Sequence, residues 1–329
     1  MPIERRAFLA TSLALLASAQ SRAADKSSSP PPTPYEGTPP WPAKESFPLW
    51  PGKAPGQRDT LPKPDWTMNG PASSRELHIA GVDKPEIHVY RPKHPTGQGL
   101  VVFPGGSYRI LSVQNEGLDA ATTFTQMGLT VFILTYRLPN EGWDEQSNVP
   151  LQDGQRAMRL IRSKAREFGI DPAKLAVLGF SAGGHAAATL TTCFDEKVYS
   201  PVDAADQQSA RPAFSCLMYP VIDMRPPLAH MESRGNLLGP NPSDALLDAR
   251  SPNHRVTADT PPCFFAHALD DDTVPYGNSV AMVGALRAQH IPCELHLFEK
   301  GNHGFGFHLP KDFTGSHWPE LFRTWMADR

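Results

Sequence analysis

Residues 174–183 have the sequence KLAVLGFSAG, which combines two patterns that together indicate the fold. Its first half is a short apolar run, the pattern of a β-strand covered on both faces in a parallel sheet. Its second half is G-x-S-x-G, followed by small residues that suit a helix. A strand, a sharp turn at a serine and a helix, in this order, raise the serine hydroxyl above the edge of a sheet. Ser181 is therefore the candidate nucleophile, and a glycine-rich turn with a solvated serine is the alternative.

Apolar runs of strand length recur on both sides of this stretch and alternate with helix-like segments from about residue 75 onward. The predicted strands are 76–80, 86–91, 100–103, 131–135, 175–179, 215–219, 263–268 and 294–298. The predicted helices are 117–127, 151–168, 182–192, 243–249, 280–289 and 319–327. This alternation predicts an α/β fold with a mainly parallel central sheet, helices on both faces and an antiparallel N-terminal edge made by the first two strands.

A nucleophilic serine needs a base that accepts its proton and a carboxylate that orients the base. His303 is the candidate base, because it follows the last predicted strand in a loop rich in glycine. The preceding strand ends in three adjacent aspartates, from which we take Asp271 as the acid and keep Asp272 as the alternative. Because the carboxyl ends of parallel strands meet at one edge of a sheet, we expect these groups to converge on Ser181.

A second glycine-rich segment, PGGSY at residues 104–108, follows the strand predicted at 100–103. Glycines at this position let backbone N–H groups point at the oxygen of a substrate carbonyl, and removing one such donor costs about 100- to 1000-fold in rate. We expect the donors of this oxyanion hole to be Gly106 and Ser107, joined by the N–H of Ala182 beside the nucleophile. An ordinary tight turn is the alternative interpretation.

Five segments together resemble the α/β-hydrolase esterases, namely residues 104–108 (PGGSY), 116–117 (EG), 135–139 (TYRLP), 179–185 (GFSAGGH) and 303–306 (HGFG). More narrowly, they resemble the acetyl-xylan-esterase-like branch of carbohydrate acetylesterases, which lies near the feruloyl-esterase and lipase-related groups. The lead-in PLWPGKAPG at residues 48–56 and the spacing from Asp271 to Val274 are also similar. The resemblance covers about residues 47–309. Ser107 departs from it, because the family usually has a third glycine there.

The resemblance implies hydrolysis of small acyl esters, often acetyl groups on plant polysaccharide or oligosaccharide, with no metal and no organic cofactor. It implies that Ser181 attacks the ester carbonyl, that His303 accepts the proton and that Asp271 holds the imidazole. Tyr108 is a candidate for stacking on a sugar ring, and Tyr219 for lining the acyl pocket. A serine exopeptidase, another carboxylesterase of the same fold and a catalytically silent binding protein remain alternatives.

The first residues have the pattern of a targeting signal. Residues 1–23 combine Arg5-Arg6 with a short apolar stretch and end in small residues, which is typical of a secretory signal of the twin-arginine type. Cleavage after Ala19 and after Ala23 are both open. No later run reaches transmembrane length. We therefore expect export to a bacterial periplasm or the medium, without stable membrane insertion.

The rest of the chain divides at about residue 75. Residues 30–64 hold twelve prolines, so 24–74 are predicted to be an extended strap or linker, and 75–329 a single catalytic domain. The 329 residues are 40% apolar, enough for a large buried core. Lys and Arg number 31 against 34 Asp and Glu, without a long basic run, which argues against nucleic acid as a partner. Disulfide pairing stays open among the four cysteines, Cys193, Cys216, Cys263 and Cys293.

Overall fold

The computed structural model describes residues 25–27, 38–70 and 76–329, and the predicted signal at 1–23 lies outside them. The strands are β1 (Asp25–Ser27), β2 (Glu45–Pro48), β3 (Asp65–Asn69), β4 (Glu76–Ala80), β5 (Glu86–Tyr90), β6 (Gly99–Phe103), β7 (Leu111–Ser112), β8 (Thr130–Thr135), β9 (Leu175–Phe180), β10 (Ser215–Met218), β11 (Cys263–Ala268) and β12 (Cys293–Phe298). The helices are α1 (Asp119–Gln126), α2 (Val149–Ser163), α3 (Ala165–Phe168), α4 (Ser181–Thr192), α5 (Met231–Leu238), α6 (Asp244–Ala249), α7 (Gly277–Ala288) and α8 (Trp318–Met326).

Eight strands form the central sheet in the order β12-β11-β10-β9-β6-β8-β5-β2. The pairs from β12 to β8 are parallel, whereas β5 and β2 run antiparallel at one edge. The inner strands β6, β8, β9, β10 and β11 are buried at every residue, which explains their continuous apolar sequences. The predicted α/β fold with a mainly parallel sheet and an antiparallel edge is confirmed.

A second, smaller sheet has the order β1-β3-β4-β7 and is antiparallel throughout. It contains β4, which the sequence analysis placed at the edge of the central sheet. The alternation of buried and half-buried residues in β4 shows a strand with one covered face, and that pattern fits either sheet. The pairing partners decide between them, and here they are β3, from the predicted strap at 24–74, and β7.

The proline-rich segment packs on the body of the molecule over its described part. Its strand β2 extends the central sheet, and Trp50 donates from Nε1 to Asp153 Oδ1 at 2.9 Å. Arg137 is fully buried, forms an ion pair with Asp153 at 2.7 Å and donates to the carbonyl of Pro55 at 2.6 Å. The strands β2 and β3 were not predicted, because each is short and lies among prolines.

Helix α4 is buried along its whole length and packs against β9, β10 and α2. Its sequence, SAGGHAAATLTT, is rich in small residues, which lets the backbone approach the sheet closely. Its N-terminus lies at the carboxyl edge of the parallel strands, where β9 ends. Across the described ranges, no helix is both long enough and apolar enough to cross a membrane.

All four cysteines are free thiols. Cys263 and Cys293 lie opposite one another in the register of β11 and β12. Burial raises the pKa of the Cys263 and Cys216 thiols, which keeps both groups neutral and apolar in character.

Candidate active site

Ser181 lies at the sharp turn between β9 and α4, and its backbone is left-handed, with φ of +51°. For a residue other than glycine, such a conformation costs about 1–3 kcal/mol, so the surroundings must impose it. A Cβ atom at Gly179 would lie 2.4 Å from the carbonyl oxygen of Gly183, and one at Gly183 would lie 2.1 Å from that of Phe103. Only glycine therefore fits on either side of the serine, which is the physical reason for the G-x-S-x-G pattern.

His303 lies in the loop after β12, with its side chain 18% exposed. Its Nε2 is 2.8 Å from Ser181 Oγ, and its Nδ1 is 2.8 Å from Asp271 Oδ2. A carboxylate at Nδ1 keeps the proton on that nitrogen, which leaves Nε2 free to accept the serine proton. The structure thus brings the three predicted triad residues into one hydrogen-bonded chain.

Asp271 is held from both sides of its carboxyl group. Its Oδ1 accepts the backbone N–H groups of Thr273 at 3.0 Å and Val274 at 2.8 Å, and its Oδ2 faces His303 and His267. Burial alone would raise the pKa of Asp271, but the hydrogen bonds from His267 and His303 outweigh it and hold the pKa well below its ordinary value. The group therefore stays ionised opposite the imidazole.

The neighbours of Asp271 in the sequence point elsewhere. Asp270 Oδ1 accepts the N–H of Asn302 at 2.8 Å, and the exposed Asp272 contacts the hydroxyl of Thr273 at 3.2 Å. The geometry therefore favours Asp271 over Asp272 as the partner of the histidine. Within the described ranges, no group of three or more His, Cys, Asp or Glu side chains is placed to hold a metal ion.

His267, which was not among the predicted site residues, is completely buried in β11. Its Nε2 is 3.1 Å from Asp271 Oδ2 and 3.0 Å from the carbonyl oxygen of Val274, and its Nδ1 is 2.9 Å from Ser279 Oγ. Because both partners of Nε2 are acceptors, that nitrogen carries the proton, and the Ser279 hydroxyl donates to Nδ1. The signal in the sequence is a single histidine inside an otherwise apolar strand, four residues before the acid.

The glycine-rich loop after β6 lies directly beside the serine, since a Cβ atom at Gly105 would be 3.0 Å from Ser181 Cβ. Gly106 has φ of +124° and Ser107 has φ of +58°. Neither of their N–H groups donates to any other group of the described chain. The N–H of Ala182 belongs to the first turn of α4, where backbone N–H groups lack a partner within the helix. The three predicted donors are thus grouped around the turn at Ser181.

Helix α5 covers this loop from outside. Asn236 donates from Nδ2 to the carbonyl of Ser107 at 2.8 Å, and Glu232 forms an ion pair with Arg109 at 2.8 Å. Glycine adopts the left-handed backbone of Ser107 more readily than serine does, so the third glycine that the resemblance implies would also fit this position. Helix α5 was not predicted, because it contains Gly235 and has no clear apolar face.

The two tyrosines expected to bind substrate are both completely buried. The hydroxyl of Tyr108 contacts His185 Nδ1 at 2.7 Å, and the hydroxyl of Tyr219 donates to Glu116 Oε1 at 2.9 Å. Neither ring offers a free face to a sugar or an acyl chain, which corrects the sequence-based expectation. The apolar bodies of both side chains fill the core, and their hydroxyl groups find internal partners.

The chain is similar in sequence to a known protein family and to characterised relatives. Residues 87–286 match the family model described as BD-FAE. The chain belongs to the BD-FAE family. This BD-FAE chain is 32% identical over 235 residues to an acetylxylan esterase of Xylanibacter ruminicola, covering 70% of this chain and 46% of that protein. It is 36% identical over 216 residues to endo-1,4-beta-xylanase B of Butyrivibrio fibrisolvens, covering 66% of this chain and 34% of that protein.

This chain thus spans about half the length of the acetylxylan esterase and about a third of the length of the xylanase. Among solved structures, it is similar to an acetyl ester-xyloside bifunctional hydrolase from Caldicellulosiruptor lactoaceticus, with a TM-score of 0.71 and 32% identity. That alignment covers 87% of this chain and 97% of the other. The resemblance to α/β-hydrolase esterases of the acetyl-xylan-esterase-like branch, inferred from the motifs, is confirmed.

Proposed function

We propose that this protein is a serine esterase that removes short acyl groups, above all acetyl groups, from carbohydrate of the xylan type. The observation that carries the proposal is the unbroken hydrogen-bonded chain from Ser181 through His303 to Asp271, beside a loop with free N–H donors. The printed names of the relatives, an acetylxylan esterase and an acetyl ester-xyloside hydrolase, support the choice of acetyl groups on carbohydrate.

The proposed reaction begins with attack of Ser181 Oγ on the ester carbonyl carbon, while His303 Nε2 accepts the serine proton. The carbonyl oxygen becomes an oxyanion, which accepts the N–H groups of Gly106, Ser107 and Ala182. Collapse of this intermediate breaks the ester bond, and His303 gives its proton to the departing sugar oxygen, which leaves as a hydroxyl group. Asp271 stays ionised throughout and stabilises the imidazolium.

The second half of the reaction releases the acid. A water molecule gives a proton to His303 and attacks the acyl group on Ser181, again through an oxyanion in the same hole. The bond from Ser181 Oγ to the acyl carbon then breaks, and the serine recovers its proton from His303. The products are acetate and the free enzyme, and all steps use groups of this chain and water alone.

The proposal is tested with p-nitrophenyl esters of increasing chain length, from C2 to C12, and with the Ser181→Ala variant. We expect the highest kcat/KM on the C2 ester, a steep fall with length and loss of activity in the variant. Acetate release from acetylated xylan then tests the carbohydrate part. A folded protein without activity on any of these esters would contradict the proposal, and cleavage of aminoacyl p-nitroanilides instead would favour a serine exopeptidase.

We also propose export of the protein by the twin-arginine route. The basis is the sequence of residues 1–23, with Arg5-Arg6 ahead of an apolar stretch. Cell fractionation of the tagged chain should find the mature protein in the periplasm, and replacing both arginines with lysine should retain the precursor in the cytoplasm. Equal export of the two forms would contradict the twin-arginine route.

A further inference from the structure

A single π-helical turn, residues Gln114–Leu118, precedes α1, and all five of its residues are buried. Such turns are rare and occur frequently at functional sites. Asn115 in this turn donates from Nδ2 to the carbonyl of Gly304, in the loop that carries His303, at 2.9 Å. Glu116 accepts the N–H of Gly105, in the glycine-rich loop. The turn therefore contacts both loops that the proposed reaction uses.

The carboxyl group of Glu116 has a partner at each oxygen. Oε2 accepts the N–H of Gly105 at 2.6 Å, and Oε1 accepts the hydroxyl of Tyr219 at 2.9 Å. The Tyr219 oxygen in turn accepts the N–H of Gly306 at 3.1 Å, and the tyrosine ring packs edge-on against the ring of His303, with centroids 5.1 Å apart. One carboxyl group thus connects the oxyanion loop to the loop that carries the base.

The positions of the protons in this hydrogen-bond network show which protonation state of Glu116 its partners favour. The N–H of Gly105 can only donate. The Tyr219 oxygen already accepts from Gly306, so its own proton points at Glu116. Both partners therefore donate to the carboxyl group, and the ionised form satisfies both. A protonated carboxyl group would place a second proton between Glu116 and Tyr219, and one of these hydrogen bonds would be lost.

Several titratable groups act on Glu116 from the elements packed around it, namely His303, Glu76, Tyr136 and Tyr219. Burial is the largest effect and raises the pKa of Glu116 to about 7. The hydrogen bonds from Gly105 and Tyr219 and the charge of His303 act in the opposite direction, and Glu76 acts with burial. Both protonation states are therefore populated near neutral pH.

We propose that Glu116 is a positioning residue that fixes the oxyanion loop and the His303 loop relative to one another through Gly105 and Tyr219. Its ionised form keeps the N–H donors of the loop aligned with Ser181, and protonation loosens that alignment. Glu116 itself contacts no reacting atom. The proposal rests on the proposed esterase function and concerns how that site is held, not which ester it hydrolyses.

The first test is the Glu116→Gln variant on p-nitrophenyl acetate. We expect kcat to fall about 100-fold with little change in KM. A displaced N–H donor weakens the hydrogen bond to the oxyanion, and this bond matters mainly in the transition state. The matched control is Glu141→Gln. Glu141 also accepts two backbone N–H groups, those of Gly81 at 2.6 Å and Val82 at 3.1 Å, but contacts neither active-site loop. The control should keep the wild-type kcat.

The second test is the pH profile of kcat/KM. In the wild type, protonation of Glu116 contributes to the acid limb of the profile. In Glu116→Gln this contribution is absent, so the acid limb should become less steep. A merely structural role would lower activity equally at every pH and leave the shape of the profile unchanged, which would overturn the proposal.

The outcomes separate this inference from the proposed function. An inactive wild type contradicts the esterase function, whereas an active wild type with an equally active Glu116→Gln contradicts the positioning role alone. If Glu116→Gln does not fold, Tyr219→Phe provides the test, because it removes only the hydroxyl that links Glu116 to Gly306. We expect a lower kcat and a shifted acid limb for this variant, and an unchanged profile would overturn the proposal.

Discussion

Replacing Asp271 with Asn is the sharpest perturbation of the proposed triad, because it keeps the shape of the side chain. The carboxyl oxygens face two pairs of donors: the backbone N–H groups of Thr273 and Val274 at Oδ1, and the imidazoles of His267 and His303 at Oδ2. An amide has one oxygen and one NH₂ group. One of these two pairs of donors must therefore face the NH₂ group, which is itself a donor, instead of an acceptor.

The structure decides which pair loses its acceptor. The backbone N–H groups can only donate, so the amide oxygen stays with them and the NH₂ group faces the histidines. His267 keeps its proton on Nε2, where the carbonyl of Val274 accepts it at 3.0 Å. His303 moves its proton from Nδ1 to Nε2 and can no longer accept from Ser181. Loss of the correct tautomer in such a triad costs about 10⁴ in kcat, which is about 5 kcal/mol of barrier.

The assay is kcat on p-nitrophenyl acetate for Asp271→Asn beside Asp272→Asn. The exposed Asp272 contacts only a threonine hydroxyl, so its variant should keep the wild-type rate and serves as the matched control. An Asp271→Asn enzyme within about tenfold of the wild type would refute the tautomer argument. A large loss in Asp272→Asn alone would identify the other aspartate as the acid.

Three further changes have distinct expected results. Gly183→Ala places a Cβ atom 2.1 Å from a carbonyl oxygen of β6 and should lower the free energy of unfolding in urea by about 3 kcal/mol, whereas Gly284→Ala, with open space around it, should leave it equal or higher. Arg137→Ala leaves Asp153 buried without its cation and should cost about 3–5 kcal/mol in the same assay. His267→Leu removes a donor to the triad carboxylate and should lower kcat about tenfold or more. His267→Gln keeps a donor and should retain most of the wild-type kcat. Equal kcat values for the two variants would contradict the role of the Nε2 proton.

The sequence predicted the elements whose burial is visible in the residue pattern. The inner strands β6, β8, β9 and β11 are continuous apolar runs, because both faces of each strand are covered. The serine turn was predictable as well, since close packing at Gly179 and Gly183 admits no side chain. Chain order then located His303 and Asp271, because parallel strands bring their carboxyl ends to one edge.

The elements and site residues that were not predicted depend on partners that lie far away in the sequence. Strands β2 and β3 form because β5 and β4 offer free edges for pairing. The sequence of the predicted strap at 24–74 contains no strand pattern of its own that would predict them. Tyr108 was expected beside the substrate because it follows the oxyanion loop, but its left-handed backbone, with φ of +59°, accompanies a fully buried ring. His267 was not singled out from the sequence, and Glu116 was named there only as part of a motif. The contacts of both became visible when the fold placed acceptors and donors around their buried polar atoms.

The proposed reaction depends above all on Ser181 as the nucleophile that carries the acyl group. The most direct measurement is labelling of the folded protein with a fluorophosphonate, followed by mass spectrometry of its peptides and by residual activity on p-nitrophenyl acetate. We expect one adduct per chain, located on Ser181, with activity lost in proportion to labelling. Full esterase activity in a protein whose Ser181 is completely labelled, or inactivation with the adduct on another residue, would contradict this role of Ser181.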